Sequence, residues 1–243
     1  MSNAEFAGQH YSGAAYEFET TRLTELCPVE FAMTKRMLDR WIPHGSVVAE
    51  IGVGAGHYSE HLAAQVAAVS RVSATDLHPM ASASFDAVLL LGPLYHLCQP
   101  SDRQRAVDEA ARLLKSHGLL YAAGINRLPY FRDLFRESPQ LAAERRQFHK
   151  QFLEDGNVDP DHAPPLGFGH LSTAGEFEAL FAGLFDRLIL MGVESFTAPW
   201  QPILLDLEPD QVEAWLDLVE QTGVTAEGWG ASDHFLFVGR KAD

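Results

Sequence analysis

Glu50-Ile51-Gly52-Val53-Gly54-Ala55-Gly56 places a carboxylate just ahead of three alternating glycines. A turn of this composition lets backbone amides approach a ligand closely, and a helix behind it turns its positive end toward an anionic group. The spacing argues against two nucleotide motifs. A dinucleotide fingerprint needs G-x-G-x-x-G, but His57 stands third after Gly54, and no Lys-Ser/Thr pair follows as a phosphate loop requires. The next residues, His57-Tyr58-Ser59-Glu60-His61, also match H-x-x-E-H, a pattern that sets two zinc-binding histidines and a glutamate base on one helical face. That pattern begins inside the glycine loop, where a metal would compete with the ligand the loop suits, so a plain helix start is the better reading. Further on, Tyr95 and His96 follow an apolar run, the position from which a side chain can take a proton from an attacking hydroxyl or amine. His96 is read equally well as a base or substrate contact and as a histidine hydrogen-bonded to a cap, with Tyr95 as second choice. No G-x-S-x-G elbow supports acyl transfer. Cys27 and Cys98 are too few for a disulfide framework or a thiolate zinc site.

These residues need elements to position them. Val29, Ala32, Met33, Met37, Leu38 and Trp41 recur at helical spacing from Pro28 until Pro43-His44-Gly45 stops them. Ser46–Val53 and Phe85–Leu91 are near-continuous apolar runs suited to strands buried on both faces, and Leu119–Ile125 is a third. Between the last two, Asp102–Lys115 has helical periodicity. Strands alternating with helices predict parallel βαβ units and a doubly wound α/β sheet. Residues 127–170 interrupt the alternation with Arg127, Arg132, Arg136, Arg145, Arg146 and Lys150 followed by a Pro, Gly and Asp-rich stretch, which reads as an inserted helical cap and a loop. Those arginines are read as a solvated face interleaved with acids before an acidic-substrate site. Ser172-Thr173-Ala174-Gly175-Glu176 offers N-cap residues with an acid in the first turn, opening a helix through Leu184. Phe185–Val193 and Asp233–Arg240 are the closing strands, able to pair antiparallel around a helix at 208–221. The organisation expected is one domain over 1–243, with an N-terminal helical arm at 5–44, a core at 45–126 and 171–243, and a cap at 127–170.

E-x-G-x-G-x-G after a first strand resembles motif I of the class I S-adenosylmethionine-dependent methyltransferases. Ser84–Leu97, which contains Leu91-Gly92-Pro93-Leu94-Tyr95-His96-Leu97, resembles the fourth-strand motif of that family, and Ala110–Leu120 its next helix, turn and strand. Gly230–Lys241 is similar to the end of a bacterial small-molecule subfamily carrying L-G-P-L-Y-H-L. The resemblance implies a Rossmann-like, seven-stranded, mostly parallel sheet with its last strand antiparallel. It implies S-adenosylmethionine as cofactor and S-adenosylhomocysteine as product. Glu50 would anchor the methionine ammonium, the loop at Gly52, Gly54 and Gly56 would receive the carboxylate, and Leu91 and Gly92 would touch the methionine part. Tyr58 would pack over the ligand or fill the core. Tyr11, Tyr16, Arg22 and His234 would line the acceptor pocket if the arm folds over it, and packing explains each of them equally well.

Residues 57–84 are too short for the helix, two strands and crossover that this family places there, if the first helix runs from His57 to about Ala68. The sheet is therefore expected to be shortened between its first and fourth strands, or a segment is missing from the sequence. Asp76 and Leu77 are read as the end of the third strand, with Asp76 on the adenine amino group; were that strand the second, Asp76 would hold the ribose hydroxyls.

The 243 residues are 47% hydrophobic and 21% charged, an ordinary globular composition. With 33 acidic residues against 18 Lys and Arg, the net charge of −15 disfavours nucleic acid and anionic membranes as partners. No apolar run reaches the about 18 residues a membrane helix needs, the N-terminus lacks the pattern of a signal peptide, and Ser2-Asn3-Ala4 looks like a cloning scar. The expectation is a cytoplasmic, monomeric or homodimeric enzyme that methylates a small molecule without a metal. The alternative is a non-catalytic relative, binding or scaffolding, with an incomplete cofactor pocket.

Overall fold

The computed structural model describes residues 14–72, 80–163 and 166–243. In chain order these form α1 (Ala14–Thr21), a π-helical turn (Arg22–Leu26), α2 (Pro28–Trp41), β1 (Val47–Ile51), α3 (His57–Leu62), β2 (Ala68–Val72), β3 (Phe85–Leu90), a 3-10 turn (Pro93–His96), α4 (Pro100–Leu113), β4 (Leu114–Asn126), α5 (Leu128–Glu137), α6 (Leu141–Glu144), α7 (Arg146–Asp155), β5 (Asn157–Val158), β6 (Gly169–Ser172), α8 (Ala174–Ala179), β7 (Phe185–Gly192), a 3-10 segment (Ser195–Asp206), α9 (Pro209–Gly223), α10 (Ala226–Ala231) and β8 (His234–Lys241).

The main sheet runs β2-β1-β3-β4-β8-β7, and β6 extends it by pairing with the last residues of β4. Seven strands are thus joined, with β5 as a short antiparallel edge on β6. Pairings from β2 through β4, and β4 with β6, are parallel; β8 is antiparallel to both β4 and β7. The expected mostly parallel α/β sheet and the antiparallel closing pair are both present.

Apolar residues face both sides of the strands, as the near-continuous runs require. Ala49, Ile51, Val88, Leu90, Leu120 and Ala122 pack with Val107, Ala110 and Leu113 of α4 and Phe177 of α8. Their strand neighbours Val48, Ala87, Leu89, Leu119 and Tyr121 pack against Met33 and Met37 of α2, Leu62 of α3 and Leu216 and Val219 of α9. Full burial of such side chains contributes roughly 1.5–3 kcal/mol each, which ties the helices to both faces of the sheet.

Two expectations for 57–84 need correction. The helix after the glycine loop ends at Leu62, well short of Ala68, which instead opens β2. β2 lies directly beside β1 in the register Val47↔Ala68 to Ile51↔Val72, so the strand leading to Asp76 holds the place of a second strand rather than a third. The crossover is brief, with only five residues between Leu62 at the end of α3 and Ala68 at the start of β2. Among the described residues no strand pairs with the outer edge of β2, and β6 completes the seven instead. Asp76 and Leu77 themselves lie outside the described residues, as does Tyr11.

Three helices occupy the stretch read as a helical insertion. Arg127, 4% exposed, holds that stretch to the core: Nε donates to the Leu171 carbonyl, Nη1 to the Leu153 carbonyl and Nη2 to Glu176 at 2.6 Å. Of the residues read as the helix start, Thr173 takes the N-cap, and the helix ends at Ala179 rather than at Leu184. The Thr173 amide donates to Glu176 at 2.8 Å, and the Glu176 amide donates back to the Thr173 hydroxyl at 3.3 Å. Thr173→Ala is therefore expected to cost about 1 kcal/mol, read as a lower urea midpoint with an unchanged slope.

Candidate active site

The parallel strands β1, β3 and β4 end together, and ligands of open α/β sheets bind outside such carboxyl ends. Four segments converge on that edge: the glycine loop after β1, the 93–96 turn after β3, Glu194 just beyond β7, and His234 at the start of β8, which pairs with Ile125 near the end of β4. The sequence separates these residues widely, and only the sheet brings them to one edge.

On the β1 side, Gly52, Gly54 and Gly56 all have positive φ, at 69°, 51° and 84°. A Cβ on Gly52 would fall 2.6 Å from Cγ of Pro93, so this glycine lets the loop close on the β3 turn. One on Gly54 would meet nothing within 4 Å, which leaves the middle of the loop open to a ligand. Glu50 is 3% exposed and accepts a hydrogen bond from the Ser59 hydroxyl on α3. Ser59, itself buried, was missed at the sequence level, although it lies one turn into the helix that follows the loop. A cleft beside the loop is lined by Ala55, Gly56, Ser59, Glu60, Val66 and Ala68.

Tyr58 belongs to the core beneath α2. It is 9% exposed, its ring centroid is 5.6 Å from that of Phe31, and burial pushes its hydroxyl pKa well up. Of its two readings, the core one is what the packing shows. His57 and His61 do not converge as zinc ligands would: His57 Nε2 is 3.3 Å from the Glu19 carbonyl, whereas His61 Nε2 is 2.8 Å from Asp39.

On the β3 side, Leu91 and Gly92 lead into the turn. A Cβ on Gly92 would lie 3.5 Å from the Gly52 carbonyl oxygen and 3.6 Å from the Tyr95 hydroxyl, so Tyr95 folds back beside Gly92. Burial raises the Tyr95 pKa to about 12, with the Arg22 charge opposing, and the hydroxyl stays protonated near neutrality. His96 packs on Tyr95 with ring centroids 4.8 Å apart.

The N-terminal elements cover this edge. Arg22, in the π-helical turn, holds Glu30 with two hydrogen bonds of 2.8 and 3.4 Å and reaches Glu19 at 3.2 Å. Glu30 Oε2 is 3.6 Å from His234 Nδ1, which lies 2.5 Å from Oε1 of the fully buried Glu194. Burial opposes ionisation of Glu30, but Arg22 and His234 outweigh it and lower the pKa. Burial likewise opposes the imidazolium of His234, yet Glu30 and Glu194 raise its pKa to about 9. Arg22 and His234 were read from sequence as either pocket or packing residues; Glu30 and Glu194 were not singled out, although an acid in an apolar helix and one directly after a buried strand were both visible. Glu30, Glu194 and His234 bring donor atoms within 4.8 Å of one another. The guanidinium on Glu30 and the charge on His234 make the group an ion network.

The methyltransferase domain family matches residues 68–122, from β2 into β4 and downstream of the glycine loop. No curated protein sequence matches the chain. Its fold is similar to several solved structures. N-methyltransferase NodS from Bradyrhizobium japonicum WM9 with S-adenosyl-L-homocysteine has a TM-score of 0.54 at 12% identity, covering 100% of both chains. A possible histamine N-methyltransferase from Thermotoga maritima gives 0.54 at 19%, covering 96% of this chain and 99% of that one. The 1,6-didemethyltoxoflavin-N1-methyltransferase of Burkholderia thailandensis gives 0.56 at 14%, covering 99% and 87%. The chain therefore has the fold of the S-adenosylmethionine-dependent methyltransferases, with a methyltransferase-domain sequence match over residues 68–122.

Proposed function

We propose that this protein is an S-adenosylmethionine-dependent methyltransferase acting on a small-molecule acceptor bound between the 93–96 turn and the N-terminal elements. The observation that carries this reading is the buried Glu50 at the end of β1, set against a glycine loop whose centre is open. The donor set fits the group. Glu50, held by Ser59, would meet the methionine ammonium; amides of the loop around Gly52 and Gly54 would meet the carboxylate; Leu91 and Gly92 would border the methionine part. Asp76 and Leu77 follow the strand beside β1 and are assigned to the nucleoside, with Asp76 on the ribose in that register. S-Adenosylmethionine supplies an electrophilic methyl group on a sulfonium.

Methyl displacement gains mainly from in-line positioning and from excluding water, and the side chains here provide both. Tyr95, protonated and adjacent to Gly92, can orient an acceptor by hydrogen bonding, and His96 supports its ring. The N-terminal segment from Glu19 to Glu30 closes over the edge through His57 and the ion network. The retained loop and buried acid favour catalysis over a non-catalytic binding role.

Calorimetry with S-adenosylhomocysteine tests the loop. Gly54→Asp is tolerable for the backbone, since Asp enters the left-handed region more readily than most residues, but it brings a negative charge to the carboxylate site. Binding should be lost in this variant while the thermal midpoint changes little. Unchanged binding would remove the loop from the cofactor site.

A further inference from the structure

The His234–Glu194 pair resembles the supporting half of an acid–base site. A carboxylate on one ring nitrogen fixes tautomer and orientation and leaves the other nitrogen for a ligand. Glu194 is itself fixed: Oε2 accepts from the Ser232 hydroxyl at 2.5 Å and from the His234 amide at 3.0 Å, while Oε1 faces His234 Nδ1. Nε2 of His234 makes no hydrogen bond among the described residues, and the side chain keeps 19% of its surface exposed. Arg22, a second cation at this edge, has its nitrogens turned to Glu19, Cys27 and Glu30. Among the described residues, the edge therefore presents an imidazole nitrogen with no hydrogen-bond partner, beside carboxylates that are already compensated.

Resting on the methyltransferase reading, we propose that the His234–Glu194 pair is the acceptor-binding group, its open Nε2–H holding a small molecule that is methylated as its anion, an acidic oxygen or ring nitrogen. The charged groups around the ring come from every element packed on it. Glu30 and Arg22 approach from the N-terminal side, Glu194 from beyond β7, and Asp233, paired with Arg132 at 2.7 Å, from the start of β8. Glu30 and Glu194 keep the ring protonated near neutrality, so it stays cationic while the anion binds. An ammonium acceptor would meet this cation edge-on. The anion's lone pair forms the bond to the methyl carbon as the carbon–sulfur bond breaks, its electron pair staying on sulfur; the acceptor's proton has gone to solvent before binding, and the product leaves neutral.

4-Nitrophenol is the probe, because its phenolate is yellow and its phenol is not, with 4-nitroanisole as the neutral control. The protein, with and without S-adenosylhomocysteine, is titrated one pH unit below the free phenol's pKa. The phenolate band is expected to appear on binding, with nitroanisole at least tenfold weaker. His234→Gln should abolish the band and lose at least tenfold in probe affinity, while the dissociation constant for S-adenosylhomocysteine stays within twofold and certifies the fold. Glu194→Gln should still bind the probe by calorimetry but lose that affinity at a lower pH than the wild type as the pH is raised, a change that a purely structural glutamate would not produce. No phenolate binding, equal binding of nitroanisole, or a band indifferent to His234→Gln overturns the proposal. Failure of the wild type to bind S-adenosylhomocysteine overturns the cofactor reading, and the titration without it still judges the pair.

Discussion

Glu50→Gln is expected to weaken S-adenosylhomocysteine binding by roughly a hundred- to a thousandfold. Glu50 sits at the end of β1 with 3% of its surface exposed, and the Ser59 hydroxyl donates to one of its oxygens. A ligand ammonium docking there gains a charge-assisted contact away from bulk water. Truncating one member of such a desolvated pair costs about 2–5 kcal/mol, and each 1.4 kcal/mol is a factor of ten. Gln has nearly the same shape, so the core clusters on either face of the sheet should hold and the thermal midpoint should barely move. Its amide also offers a donor where an acceptor is needed, which adds to the loss. Ser59→Ala should give a smaller effect in the same direction, since it removes only the support. Calorimetry on the three proteins reads this directly, and a loss below fivefold for Glu50→Gln would take that residue out of the cofactor site.

Folding stability should fall by about 3 kcal/mol as the pH rises from about 6 to about 10, and His234 is the cause. Burial lowers its pKa, but Glu30 and Glu194 outweigh burial and bring it to about 9 against 6.5 in the unfolded chain. The folded state therefore holds the proton more tightly. The resulting stabilisation is complete below about pH 6.5 and disappears as the pH passes through about 9. The effect is localised: losing the proton leaves Glu194, with no exposed surface, and Glu30 facing an uncharged ring. Urea unfolding across this range checks it, with His234→Gln expected to flatten the alkaline fall. A wild-type profile that is level between those limits would contradict the ion network.

The strands at β1, β3, β4, β7 and β8, the glycine loop and the helix start at 172–176 were legible in the sequence alone, because each depends on neighbours a few residues away, whereas the short strands at Asn157–Val158 and Gly169–Ser172 fell in a stretch read as cap and loop. Buried parallel strands read as continuous apolar runs, a left-handed turn needs glycine, and a capping box joins residues three apart. The family resemblance drew on the same local patterns, which is why the loop at Glu50–Gly56 and the turn at Pro93–His96 could be named before any fold was known. Tertiary structure decided what depends on distant partners. The short α3 and the pairing of β2 with β1 set the place of the strand before Asp76, where counting residues had suggested a longer helix and a third strand. Tyr58 went to the core because Phe31 of α2 packs on it, a contact no spacing rule contains. The ion network joins Arg22, Glu30, Glu194 and His234 across most of the chain, and Glu30 and Glu194 escaped notice because an acid's partner, and hence its charge and purpose, is set by which strands lie side by side.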